Sequence, residues 1–126
     1  MNDRARTAVT PISAVANDTG NYVQVILQNI GTTRQANFAA WDVILNYTDV
    51  NGAQQTQWYT YSSQWNAQIY QSISPSQLEV IEPGILNPGE YLVIHVNTTP
   101  AVGVGTTNLA TITAPNGVTV QSVFTR

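Results

Sequence analysis

Apolar residues recur at every second position in run after run of this chain, and each run stops at a cluster of Gly, Pro, Asn or Asp. Such alternation sends one set of side chains toward a core and the next toward solvent, whereas a helix needs an apolar repeat near every third or fourth residue. From Tyr22 to Gln28, Val23, Val25 and Leu27 alternate with Gln24, Ile26 and Gln28. Trp41, Val43, Leu45 and Tyr47 alternate with Asp42, Ile44, Asn46 and Thr48, and then Asp49-Val50-Asn51-Gly52 leads into the β-prone run Thr56 to Tyr61. The Asn-Gly pair predicts a tight antiparallel hairpin between these two strands. Trp65 to Ile73 predicts another strand, stopped by Pro75, and Leu78 to Ile81 is a short apolar piece before the turn signals Pro83-Gly84 and Asn87-Pro88-Gly89. Tyr91 to Val96 places Leu92, Ile94 and Val96 on one face and Tyr91, Val93 and His95 on the other. Leu109 to Ala114 and Val118 to Phe124, joined through Pro115-Asn116-Gly117, predict a second hairpin. Residues 1–20 read as a tail or a short edge strand around Ala8 to Ile12, and residues 21–126 as the domain proper. With no helical stripe, the expected fold is all-β: an immunoglobulin-like antiparallel β-sandwich of about seven or eight strands.

A chain of 126 residues accommodates one such core. Charged residues are only 9 % of it, against about 25 % in a typical soluble domain, and uncharged Thr, Asn and Gln take their place. Lys is absent, and of the cations Arg4, Arg6, Arg34 and Arg126 all but Arg34 lie close to a terminus. Binding to the phosphates of a nucleic acid needs clustered cations, so nucleic acid is excluded as a partner. A net charge of -3 and a pI ≈ 4.6 argue against anionic membrane surfaces. With no Cys, there are no disulfides, thiolate metal sites or cysteine nucleophiles, and the single His95 leaves no multi-histidine metal site. No catalytic residue, metal or cofactor is expected, and the chain does not read as an enzyme. The opening segment Met1-Asn2-Asp3-Arg4-Ala5-Arg6 lacks the apolar stretch of a secretory signal. A surface of hydroxyls and carboxamides, little affected by pH and salt, suits an extracellular setting.

Five aromatic residues, Trp58, Tyr59, Tyr61, Trp65 and Tyr70, fall within thirteen positions and are the candidate binding residues. Rings on the solvent face of a strand can anchor a protein partner or stack on sugars. Alternation divides them, since Trp58 and Tyr59 must point to opposite faces and one set belongs to the core. Asp42, Asp49, Glu79, Glu82 and Glu90 show no Asp-x-Asp calcium spacing and read as solvated or turn-capping carboxylates. The sequons at Asn17, Asn46 and Asn97 are no more than chance supplies in a chain this rich in Asn and Thr. With Lys absent, strand edges have little protection against pairing, and Ala110 to Ala114 and Val118 to Phe124 are candidates for self-association into homodimers or homo-oligomers.

Several segments in order carry a family resemblance: Asn29-Ile30-Gly31, Trp41-Asp42-Val43, Tyr47-Thr48-Asp49 with Asn51-Gly52, Leu86-Asn87-Pro88-Gly89-Glu90, and Ala114-Pro115-Asn116-Gly117-Val118 before Phe124. Together they resemble the soluble domains of archaellum and type IV pilin-like proteins, particularly the F and G stator proteins of the archaellar motor. The resemblance spans Tyr22 to Phe124. It implies a non-enzymatic, extracytoplasmic sandwich that anchors a motility machine to the cell envelope, with a surface-layer protein and a sister stator protein as partners. The family's N-terminal membrane helix has no counterpart in the polar segment at Met1, so membrane attachment would run through an anchor absent from this chain. A carbohydrate-binding module built on the aromatic cluster, or a self-assembling pilin-like subunit, are the other functions these residues allow.

Overall fold

Among the described residues nine strands form, against the seven or eight expected from the alternation. The structure, a computed structural model, describes residues 8–73, 76–78, 84–115 and 117–126. In chain order the strands are β1 (Val9–Ala16), β2 (Tyr22–Asn29), β3 (Asp42–Thr48), β4 (Gln54–Tyr59), β5 (Trp65–Ile73), β6 (Ser76–Leu78), β7 (Tyr91–Asn97), β8 (Thr107–Thr113) and β9 (Thr119–Thr125). They lie in the order β4-β3-β8-β9-β1-β2-β7-β5-β6. All pairings are antiparallel except β1 with β9, which meet in parallel at Val15 and Thr125. That single parallel register is where one layer, β4-β3-β8-β9, folds over the other, β1-β2-β7-β5-β6. Inward residues of both layers then share one core, the immunoglobulin-like sandwich that the strand pattern implies.

Alternation converts directly into burial. Val23, Val25 and Leu27 of β2, Leu92, Ile94 and Val96 of β7, and Val43 and Leu45 of β3 have no exposed surface, and Tyr47, Tyr59, Trp65 and Phe124 close the core around them. Each such aliphatic side chain contributes about 1.5–3 kcal/mol from burial. Two buried amides tie the loops to this core. Asn29 donates from Nδ2 to the carbonyls of Thr33 (2.9 Å) and Leu86 (3.0 Å), while its Oδ1 accepts from the Gly31 amide. Asn108 Oδ1 accepts from the Thr48 amide at 2.9 Å, and its Nδ2 donates to Thr106 Oγ1.

Three expectations need correction. The N-terminal strand is longer than a short edge strand around Ala8 to Ile12: it runs from Val9 to Ala16, bulges between Pro11 and Ser13, pairs along its length with β2 and meets β9 at Val15 alone. Ala110 to Ala114 is not an edge, because β8 is flanked by β3 and β9, whereas Val118 to Phe124 pairs on one side only, with β8, and β9 meets β1 at Thr125 alone. Among the described residues β4 and β6 end the strand order. The hairpin at Asn51-Gly52 is also looser than the Asn-Gly pair suggests. Asp49 N–H donates to Ala53 O and Gly52 N–H to Asp49 O, and only Gly52, at φ 81, enters the left-handed region. Asp49 Oδ1 accepts from the amides of Asn51 and Ala53, and Oδ2 accepts from Gln55 Nε2, which holds its carboxyl below the usual carboxylate range. The loop from Ala114 to Val118 closes with the same pair of backbone bonds, with Gly117 at φ 91. A short 3-10 turn, Phe38–Ala40, precedes β3 and stacks Phe38 on Trp41, an element with no signal in the alternation. Pro75, Glu79 to Pro83 and Asn116, which carry a strand stop, two candidate carboxylates and part of two turns, lie outside the described residues.

Gly20 and Gly52 give a test of this packing. Both have positive φ, but a Cβ on Gly20 would collide with the Val102 carbonyl oxygen, whereas one on Gly52 meets nothing within 4 Å. Gly52→Ala should cost about 1–2 kcal/mol for the left-handed backbone alone, and Gly20→Ala at least about twice that. Urea unfolding of both variants measures the difference, and equal losses would contradict the close approach of Gly20 to Val102.

Candidate binding surfaces

The five rings of the aromatic cluster scatter into separate environments. Tyr59 and Trp65 are each 1 % exposed and belong to the core. The Trp65 indole N–H is buried without a hydrogen-bond partner among the described residues, and burial beside Tyr47 pushes the Tyr59 hydroxyl far above the usual phenol range. Tyr47 itself donates to the Pro100 carbonyl at 2.6 Å. Tyr61 packs edge-on against Trp65 with ring centroids 4.7 Å apart. Trp58 and Tyr70 remain on the surface, on the outer faces of different layers. The cause is the pleat: Tyr59 pairs with Val43 and turns inward with it, so Trp58, paired with Ile44, turns outward.

Trp58 is 59 % exposed, and its indole N–H donates to Asp42 Oδ1 at 3.1 Å. Around it the outer face of β4-β3-β8-β9 is a grid of neutral polar pairs. Gln54 Nε2 donates to Thr48 Oγ1, Thr56 Oγ1 to Asn46 Oδ1, and Gln121 Nε2 to Thr111 Oγ1, while the hydroxyls of Thr113 and Thr119 lie 3.1 Å apart. Val123, 60 % exposed, lies on the same face. This is a largely neutral polar face, with Asp42 as its carboxylate and the Trp58 ring on its edge strand.

The outer face of the second layer differs. There Tyr22, Gln24 and Ile26 of β2 run alongside Val93 and His95 of β7, with Tyr70 of β5 beyond them, around an open depression of ≈ 310 Å³. Gln24 pairs with His95 and Ile26 with Val93 across the β2–β7 register. The imidazole of His95 lies 5.0 Å, centroid to centroid, from the Tyr22 ring, and its Nε2 is 3.2 Å from Gln24 Oε1. Burial lowers the His95 pKa, and burial together with neighbouring Tyr70 raises that of the Tyr22 hydroxyl. The sequence places Tyr91, Val93 and His95 on one face of a strand and Tyr22, Gln24 and Ile26 on one face of another. That these two faces adjoin depends on β2 pairing with β7, which are separated by four intervening strands.

The carboxylates do not converge. Asp42 serves Trp58, Asp49 its own turn, and Glu90 Oε1 accepts from the Asn87 amide. Among the described residues no group of three or more His, Asp or Glu side chains is placed to hold a metal ion, and no helix is long and apolar enough to cross a membrane.

No protein-family model and no curated protein sequence matches this chain. Its fold matches solved structures. It is similar to the archaellum periplasmic stator protein FlaG from Sulfolobus acidocaldarius, with a TM-score of 0.64 at 23 % identity, over 94 % of this chain and 99 % of that one. It is also similar to the archaellum periplasmic stator protein complex FlaF and FlaG from the same organism, with a TM-score of 0.65 at 22 % identity, over 92 % of this chain and 87 % of that one. The likeness extends the turn-motif resemblance to the whole fold.

The His95 environment has a readable consequence. Its folded pKa lies below the unfolded value near 6.5, so as pH falls through that value the unfolded chain takes up the proton first. Stability contributed by neutral His95 is full above pH 6.5 and declines as pH falls toward its folded pKa. His95→Gln should flatten the change in urea midpoint between about pH 7.5 and pH 5.5. An unchanged slope would mean that the imidazole is not desolvated by its neighbours.

Proposed function

We propose that this domain is a non-enzymatic, extracytoplasmic component of an archaellum-like machine that binds the cell envelope through protein–protein contacts. The observation that carries the reading is the fold likeness to the FlaG stator structure over nearly the full length of both chains. The two sheet faces support it: each is rigid, almost uncharged and furnished with amides and hydroxyls, the composition of a wet, specific protein interface with few anchors. Trp58 is the anchor on the flat face, and a surface-layer protein is the partner it would engage. A sister stator protein of the F type is the second partner, by analogy with the solved FlaF and FlaG complex.

The free edge of β4 gives a further contact. Gln54–Tyr59 pairs on one side only, with β3, and carries no Lys, Pro or bulge to block a second strand. Pairing of this edge with another copy of the chain would make a homo-oligomer without new side-chain chemistry.

Co-sedimentation with isolated archaeal cell envelopes tests the role. Saturable binding is expected, weakened about tenfold or more by Trp58→Ala, since a few aromatic anchors dominate such interfaces. Undiminished binding by a folded Trp58→Ala variant would remove the aromatic-anchor mechanism, and no binding by the parent chain would remove the envelope role. Light scattering after size exclusion, compared between the parent and Thr56→Pro on the β4 edge, tests self-association separately.

A further inference from the structure

Outer faces of a sandwich normally present polar side chains to water, yet Ile26 and Val93 on the outer face of β2 and β7 are only 8 % and 5 % exposed. They lie outside the core cluster, and the residues around them on that face, Tyr22, Tyr70 and His95, form the walls of the ≈ 310 Å³ depression over them. The result is an apolar floor with aromatic walls and polar tips. We propose that this depression is a binding site for a neutral sugar, a hexopyranose unit of a glycan chain. The inference does not depend on the envelope role proposed above, and its site shares only Tyr70 with the aromatic cluster of the sequence.

The lining chemistry selects the ligand. Among the described residues it holds no Asp, Glu, Lys or Arg, so neither an anion nor a cation would find a countercharge there. Burial favours the uncharged imidazole of His95, which keeps the site neutral around neutral pH. Gln24 Oε1 and His95 Nε2 already face each other, and the Tyr70 hydroxyl donates to Gln68. An apolar side chain from a protein partner would match the floor but leave the Gln24 Nε2 donors, His95 Nδ1 and the Tyr22 hydroxyl against it, which is costly once water is displaced. A pyranose answers both demands. Its C–H face packs on aromatic rings, and its equatorial hydroxyls each donate and accept, as amide, imidazole and phenol groups require. The size is also suitable: small-ligand sites start at about 300 Å³, and this one is open to solvent, so a chain can continue past it. Continuation meets more amides, because exposed Asn66 pairs with His95 and Gln68 with Val93 across the β5–β7 register, and Tyr70 Oη donates to Gln68 Oε1 at 3.3 Å.

The test is an amide and side-chain NMR titration of the isotope-labelled chain with three neutral probes: cellohexaose, maltohexaose and mannohexaose. The expected result is saturable shifts at Tyr22, Gln24, Tyr70 and His95 with at least one probe, with a Kd of about 0.1–10 mM for so small and open a site. Tyr22→Ala and Tyr70→Ala should each weaken binding about three- to tenfold, while Tyr22→Phe keeps the ring and most of the affinity. Val104→Ser, in an exposed loop elsewhere, should leave it unchanged. Each variant's own spectrum reports whether it is folded, and Gln24→Ala supplies a replacement should a ring deletion unfold the chain. Absence of shifts with all three probes overturns the proposal, as do shifts confined to the Trp58 face or equal affinity in the folded Tyr and Gln24 variants. Shifts at the same residues that depend on protein concentration without sugar would assign the depression to a second copy of the chain and overturn it as well.

Discussion

A strand cannot turn one side chain inward without turning the next one out, and in this domain that constraint governs both core and surface. Val23, Val25 and Leu27 on β2 and Leu92, Ile94 and Val96 on β7 are fully buried, so the residues between them are committed to the opposite face. Those intervening residues are Gln24, Ile26, Val93 and His95. Slipping either strand by one residue would put Gln24 and His95 in the core and empty the depression. The energy that holds the sandwich together therefore also positions its surface chemistry.

The same logic explains why the aromatic cluster does not act as one unit. Tyr59 and Trp65 are among the largest side chains in the core, and their burial forces Trp58 and Tyr70 outward on different layers. Tyr61 is held by its edge-on contact with Trp65. Five rings close in sequence become two core residues, one packed neighbour and two surface rings on the outer faces of different layers. What reaches the surface is correspondingly sparse and neutral, a pattern that suits recognition of a protein or glycan by shape and hydrogen bonding more than by charge.

β1 closes the architecture. It pairs along β2 in one layer and touches β9 of the other at Val15 and Thr125, and so joins the two layers at one point. Only β4 and β6 remain at the ends of the strand order. A chain with so little charge has few means of blocking edge-to-edge pairing by repulsion, and the outer side of β4 is open to it.

Much of this was written locally in the chain. The alternations around Val23, Leu45 and Leu92, and the turns at Gly52, Gly89 and Gly117, determined that the fold is all-β, which residues are inward, and where the chain reverses, because pleat and positive φ are properties of neighbouring residues. The face shared by Tyr91, Val93 and His95 was legible in the same way. Tertiary structure alone decided that this face lies beside Tyr22 and Gln24, that Tyr59 turns in while Trp58 turns out, that Asn29 and Asn108 anchor loops from inside, and that the N-terminal strand joins the two layers. Each of these depends on which strands lie side by side. Pairing of β2 with β7, or of β1 with β9, is settled by how the whole set of apolar faces closes over one core, a condition that no stretch of neighbouring residues contains.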